Sequence, residues 1–290
     1  MNDAITAPPS TIGESLKSYA LKQLDEAATM LGRRGDDLHV GIHEARKAVR
    51  HVRATLRLGR KPLGAQAAVA IEALKDLNES LSLARDADVA LETLDRLMAS
   101  SADTFRVRLL GRIHHAFDSR RSAQLQVLLE DDPDLGRRVA TVRRLRDLTE
   151  ALGWKDVLPI GVHGELARSM RRARRLGERA HDSPKGTLRH RWRRRLRRLR
   201  HQLRIVESEL GWLLSTRESW SWPDPRSDDP EAQVLVEVRP KTLHALTDQL
   251  GFEHDLRMLR VALRRVDGIA PPDRAAAMKV VRQAIFDALG

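Results

Sequence analysis

The sequence predicts an all-α protein, and three observations carry that prediction. Aromatic residues make up 3% of a chain that is 41% hydrophobic, so its apolar content is aliphatic and suits helices better than strands. Apolar positions recur at helical spacing: at about 100° per residue, Ile42, Ala45, Val49, Val52 and Leu56 share one face. The pattern is also written twice, since Trp192, Leu196, Leu199, Leu203 and Val206 form an equivalent apolar stripe.

A cationic stripe stands one residue beyond each apolar one. His43, Arg46, Arg50, Arg53 and Arg57 lie within a sector of about 80°, beside the face able to meet a helix-bundle core. His190, Arg193, Arg197, Arg200 and Arg204 repeat the arrangement at an offset of 190 − 43 = 147 residues. Farther on, Leu74, Leu77, Leu81, Arg85-Asp86 and Val89 align with Leu243, Leu246, Leu250, His254-Asp255 and Met258, at an offset of 255 − 86 = 169. The longer offset is ascribed to a loop inserted in the second copy at 215–230, which holds Trp220, Trp222, Pro223, Pro225 and Pro230. The chain therefore reads as an internal duplication, with four or five helices in each half.

Taken in order, residues 1–11 contain Pro8-Pro9 and are expected to be disordered. A helix from about Ile12 to Leu31 follows, with Leu16, Leu24 and Leu31 inward. Gly32 and Gly35 end it, and Asp36 or Asp37 can cap the helix carrying His43. Lys61-Pro62 and Gly64 close that segment. A long amphipathic helix is expected from about Ala65 to Ala99, with a break near Ser80 to Ser82, and another from Ser100-Ser101 to about Glu130. Asp132-Pro133 supplies a cap and a helix-starting proline for a helix from about Asp134 to Leu152. These elements make a first bundle over 12–152. Glycine and proline interrupt the period at 153–161, which reads as a linker. The second bundle, 162–290, starts with a helix over about Val162 to Ala180 that places Arg168, Arg171, Arg172, Arg175 and Arg179 on one face. Ser183-Pro184 caps the helix carrying His190. Helices near 240–266 and 272–289 complete the copy.

Lysine and arginine total 52 against 40 acidic residues, for a formal charge of +12 and a pI near 10.8, so polyanionic partners are expected. The preponderance of arginine leans towards bidentate phosphate or carboxylate recognition. The absence of cysteine excludes disulfide and thiolate chemistry. Met1 to Thr11 has neither a basic n-region nor an apolar run, so a cytoplasmic protein without a membrane partner is expected.

Val40-Gly41-Ile42-His43-Glu44-Ala45-Arg46, continuing through Arg50, Arg53 and Leu56, resembles the signature of the CHAD family, a histidine-containing all-helical domain. The second copy, Leu188-Arg189-His190-Arg191-Trp192-Arg193 through Arg200, resembles it again, and Leu81 to Val89 with Arg85-Asp86 looks like a further family segment. The resemblance spans essentially the whole chain. It implies two bundles related by a pseudo-twofold, with the histidine helices facing a basic cleft that binds inorganic polyphosphate. By position, that role passes to His43, Arg46, Arg50, Arg53, His190, Arg193, Arg197 and Arg200, and Lys47, Arg57, Arg194 and Arg204 extend the same surface. Lys47 stands where an apolar residue is usual, and His51 replaces half of an Arg-Arg pair. The Glu-x-Glu-x-Lys strand of the triphosphate-tunnel domain that accompanies many relatives is absent.

The functional expectation is non-catalytic binding of inorganic polyphosphate between the two bundles, with association to polyphosphate granules. Sequence-independent nucleic-acid binding through phosphates is the alternative, although single-strand binders interleave aromatics with cations and only Trp192 lies in a basic helix here. A polyphosphate-handling enzyme is the other rival, but no nucleophile with its base and no glycine-rich phosphate loop is visible. Neither histidine has a partner at metal-ligand spacing, so no metal or cofactor is expected. His43 and His190 either contact phosphate, in which case binding raises their pKa, or are satisfied locally at the core edge. Asp86, Asp88 and Asp255 read as salt-bridge partners. Arg171, Arg172, Arg174 and Arg175 are expected to matter less, because the matching first helix has only Lys17 and Lys22 beside Glu14, Asp25 and Glu26.

Overall fold

The computed structural model describes residues 11–181, 186–216 and 240–288, and among these it is all-α, with ten α-helices and no strand. The expectations for residues 1–10, the Ser183-Pro184 cap and most of the inserted loop lie outside the described residues.

Local chemistry sets the helix ends. Helix α1 (Ile12–Leu31) opens with a capping box, in which Thr11 Oγ1 accepts the Glu14 backbone N–H and Glu14 accepts that of Thr11. Helix α2 (Leu38–Leu58) has Asp37 at its cap position, but the Asp37 side chain makes no capping hydrogen bond; a 3-10 turn over Gly35–Asp37 leads into the helix instead. The long helix expected from Ala65 to Ala99 breaks where the sequence places a break, near Ser80 to Ser82, and its first part starts earlier than expected. α3 (Arg60–Ser80) starts directly after Gly59 and bends at Gly64, whose φ of 69° suits glycine, and α4 (Ser82–Ala99) follows a break at Leu81. Asp103, rather than Ser100-Ser101, caps α5 (Thr104–Asp131) by accepting from the N–H groups of Phe105 and Arg106. Asp132 is 1% exposed; it accepts from the N–H groups of Arg137 and Arg138 and so caps α6 (Gly136–Glu150). Pro133 begins the intervening 3-10 turn, not the helix itself. After another turn over Trp154–Asp156 come α7 (Pro159–His181), α8 (Gly186–Thr216), α9 (Pro240–Leu263) and α10 (Pro271–Asp287).

The two apolar stripes are core. Ile42, Ala45, Val49, Val52 and Leu56 are buried, as are Leu196, Leu199, Leu203 and Val206, while Trp192 is partly buried against them. Apolar packing does not stop at residues 153–161. One cluster joins α1, α2, α3 and α6 with Ile205, Val206 and Leu210 of α8. A second joins α4 and α5 to α9 and α10, and a third joins α7, α8 and the start of α9. The pairings match across the chain: α1 packs on α2 and α7 on α8, α2 on α3 and α8 on α9, and α4 on α5 and α9 on α10. Between these sets α2 meets α8, α4 meets α9, and α5 meets α10.

Gly177 makes α7 lie close to α8. A Cβ at this position would stand 2.9 Å from the Trp192 indole, inside any relaxed contact distance. Gly177→Val is expected to lower stability by about 1–3 kcal/mol through overpacking, read as a drop of several degrees in the thermal midpoint. An unchanged midpoint would show that the α7–α8 contact yields freely.

Candidate anion-binding site

The first turns of the two cationic stripes are held by carboxylates, carbonyls and histidines. A guanidinium nitrogen of Arg46 donates to the Asn78 carbonyl, and Asp86 on α4 offsets part of the burial that otherwise lowers the Arg46 pKa. The equivalent Arg193 lies 3.5 Å from Asp255 on α9. Burial raises the carboxyl pKa of both aspartates, and these arginines pull it back down. His43 stands beside Glu44 and is held below its ordinary pKa by burial and then by Arg85, which itself forms two 2.8 Å hydrogen bonds to Glu92. His190 faces His254, with their Nδ1 atoms 3.2 Å apart and burial depressing both rings, His254 to about 3. Lys47 pairs with Glu44, and Arg200 reaches Asp248, Thr247 and His244.

A cleft of about 640 Å³ opens between the second half of α2, the first half of α8, the face of α7 and one edge of α3. Of the twelve residues proposed from sequence, it collects five: Arg50, Arg53, Arg57, Arg194 and Arg197. His43, Arg46, Lys47, His190, Arg193, Arg200 and Arg204 do not line it. Arg204 is exposed elsewhere along α8. The separation has a geometric cause. A stripe of 14 residues runs about 21 Å along its axis, longer than one groove between crossing helices. On α2 its start meets α3 and α4 while Arg50, Arg53 and Arg57 reach the cleft, whereas on α8 Arg193 and Arg200 both turn to α9 and Arg197 alone of that stripe lines the cleft.

The α7 face expected to matter less also lines the cleft. Arg172, Arg175 and Arg179 form a wall of the same cleft, and Arg191, Arg195 and Arg198 add a second face of α8, with Lys75 on α3. The signal was present as helical spacing, but α1, the matching helix, lacks it and packs its apolar side mainly on α2 and α6. Altogether eleven arginines and one lysine face two carboxylates, Glu72 and Glu79, and Lys75 lies 3.4 and 3.9 Å from those two.

The cations are crowded and under-neutralised. Burial first, and Arg197 second, push the Arg50 guanidinium down to about 9; burial and then Arg193 bring Arg197 to about 10. Arg57 falls to about 9, and Arg198 to about 10, through burial and then neighbouring arginines. All four stay protonated at neutral pH, so the shifts measure desolvation and repulsion that Glu44, Glu72 and Asp255 offset only in part. The Nε atoms of Arg50 and Arg53 are buried without a hydrogen-bond partner in the protein. An array of planar donors that lacks anions is suited to a ligand that supplies several.

Comparison with known proteins bears on this geometry. Residues 15–213 match the CHAD domain, well over half of the chain. The chain belongs to the CHAD family. The match takes in α2, α7, and α8 as far as residue 213, hence the basic walls of the cleft, and ends before α9 and α10. Among solved structures, PptA from Streptomyces chartreusis shares the fold with a TM-score of 0.55 at 18% identity, over 97% of this chain and 99% of that one. No curated protein matches the sequence. No helix among the described residues is long and apolar enough to cross a membrane, and none of their side chains form a group of three or more metal-ligating residues.

Proposed function

We propose that this CHAD protein binds linear inorganic polyphosphate, without catalysing its breakdown, in the cleft between α2, α7 and α8, and that it gathers on polyphosphate granules in the cell. The observation that carries this reading is the array of twelve cations against two carboxylates around one cleft, with guanidinium nitrogens left unpartnered at its centre. A chain with a negative charge on every link supplies neighbouring anions at close spacing, which suits crowded arginines better than isolated phosphates do. The matched packing of α1–α2 with α7–α8, and of α4–α5 with α9–α10, supports the two-repeat reading that brings the basic helices together.

The lining favours this over the two rivals. Among its described residues His201 is the one ring available for stacking, whereas single-strand binders use aromatic platforms. The two carboxylates sit beside Lys75, without the paired nucleophile and base that hydrolysis of a phosphoanhydride would call for.

Charge reversal tests the assignment. Arg172→Glu with Arg175→Glu should weaken polyphosphate binding at least about tenfold, since each reversal sets a like charge beside the ligand. The same change at the exposed Arg143 and Arg144 on α6 should do little. Equal losses from the two pairs would mean diffuse attraction to a basic surface and no defined cleft.

A further inference from the structure

The sequence directed attention to His43 and His190, but the histidine that lines the cleft is His201. It sits on α8 with its Nε2 buried and without a hydrogen-bond partner in the protein. Its ring packs against that of His51 on α2, with centroids 4.5 Å apart. His51 is in turn tied to α1, because its Nδ1 lies 2.7 Å from the Tyr19 hydroxyl. Burial and then Glu209 raise Tyr19 to about 12, so the hydroxyl keeps its proton and donates to His51 Nδ1. A line of three rings therefore runs from the cleft wall to the first bundle.

We propose that His201 is a ligand-contacting group of the cleft and that polyanion binding is coupled to proton uptake by the His201–His51 ring pair, so that the site tightens as pH falls. This rests on the polyphosphate reading above. The groups facing the pair explain the sign. From α2 come Lys47 and Arg50, and from α8 Arg197, Arg200 and Arg204, all cations that disfavour a charged ring. On the α1 side stand Tyr19 and, acting on it, Glu26, with Glu209 of α8 beside them. Across the cleft α7 adds further arginines, and α3 adds Lys75 between its two glutamates. With burial as the largest cause, His201 is driven far below its ordinary value and His51 to about 4, so both are neutral in the free protein at pH 5.5 and above. A polyphosphate chain laid on Arg50 and Arg197 cancels two of the cations that act on the pair and offers an acceptor to the unpartnered His201 Nε2. The bound-state pKa therefore rises, the complex holds more protons than the free protein, and affinity must increase as pH falls through the bound-state value.

Isothermal titration with long-chain inorganic polyphosphate, at fixed ionic strength and in buffers of different ionisation enthalpy, reads this directly. If the bound ring returns to the reference value near 6.5, affinity rises about tenfold between pH 7.5 and 5.5 with net proton uptake. His201→Gln should bind at pH 7.5 yet lose both the uptake and the gain, whereas His43→Gln with His190→Gln should keep both. An imidazole nitrogen NMR titration of the wild type supplies a readout that needs no variant to fold: the His201 resonance should titrate at higher pH with polyphosphate present. Absence of proton uptake by the wild type, or full uptake by folded His201→Gln, would overturn the coupling. Failure of the wild type to bind polyphosphate at pH 7.5 is a separate result, and overturns the functional reading itself.

Discussion

Replacing Arg50 and Arg197 together with methionine is expected to lower polyphosphate affinity about a hundredfold, or about 2.7 kcal/mol, while raising the thermal midpoint of the ligand-free protein. The opposite signs follow from one cause. These two guanidiniums stand where α2 meets α8, and burial and neighbouring arginines depress both by more than Glu44 and Asp255 restore. In the free protein they cost stability through desolvation and mutual repulsion, and apolar replacement of buried charge is commonly neutral to stabilising by about 1–4 kcal/mol. In the complex proposed above the same guanidiniums would donate to the ligand. Arg46→Met with Arg193→Met should behave differently, because those side chains already engage Asn78, Asp86 and Asp255. Their loss strips Asp86 and Asp255 of a cationic partner and the Asn78 carbonyl of a donor, so stability falls and affinity changes less. A lower midpoint for the Arg50 and Arg197 pair would show that the crowded centre is a structural contact and not an unoccupied ligand site.

Polyphosphate at about a hundred times its dissociation constant should stabilise the folded chain by about 2.7 kcal/mol, a rise of roughly 5 °C in the thermal midpoint for a protein of this size. Differential scanning calorimetry would show this as a midpoint that climbs with ligand concentration. The gain should shrink steeply with salt. If about six phosphates are neutralised, the single-strand slope of about −0.7 per phosphate predicts a loss of two to three decades in affinity between about 50 and 200 mM salt. A flat salt response would exclude the arginine array as the source of binding.

Much of this organisation could be read from the residues. The 3.6-residue period placed both apolar stripes, and they are buried as the period requires. The helix spans came close, because glycine, proline and aspartate mark most of the ends. The capping details did not follow, since whether Asp37 or Asp103 accepts from a backbone N–H depends on a local turn that composition does not specify. The cleft was half legible. A helical wheel shows that Arg46 and Arg53 share a face, but not that Asp86 and Asn78 close over the first while α7 opens opposite the second. Arg172 and Arg175 have no cationic counterparts in α1, a helix that packs apolar residues where α7 presents cations. His201 is hidden for a related reason: Ala54 stands at the offset of 147 residues from it, so comparison of the two stripes carries no trace of it.

The most direct test of the polyphosphate assignment is competition at one ionic strength between polyphosphate, single-stranded DNA and duplex DNA of matched phosphate number, read by displacement of a labelled polyphosphate. The account predicts that unlabelled polyphosphate displaces the probe at least tenfold more effectively than either nucleic acid, because the cleft offers dense cations without a stacking platform. Equal or better displacement by DNA would contradict it.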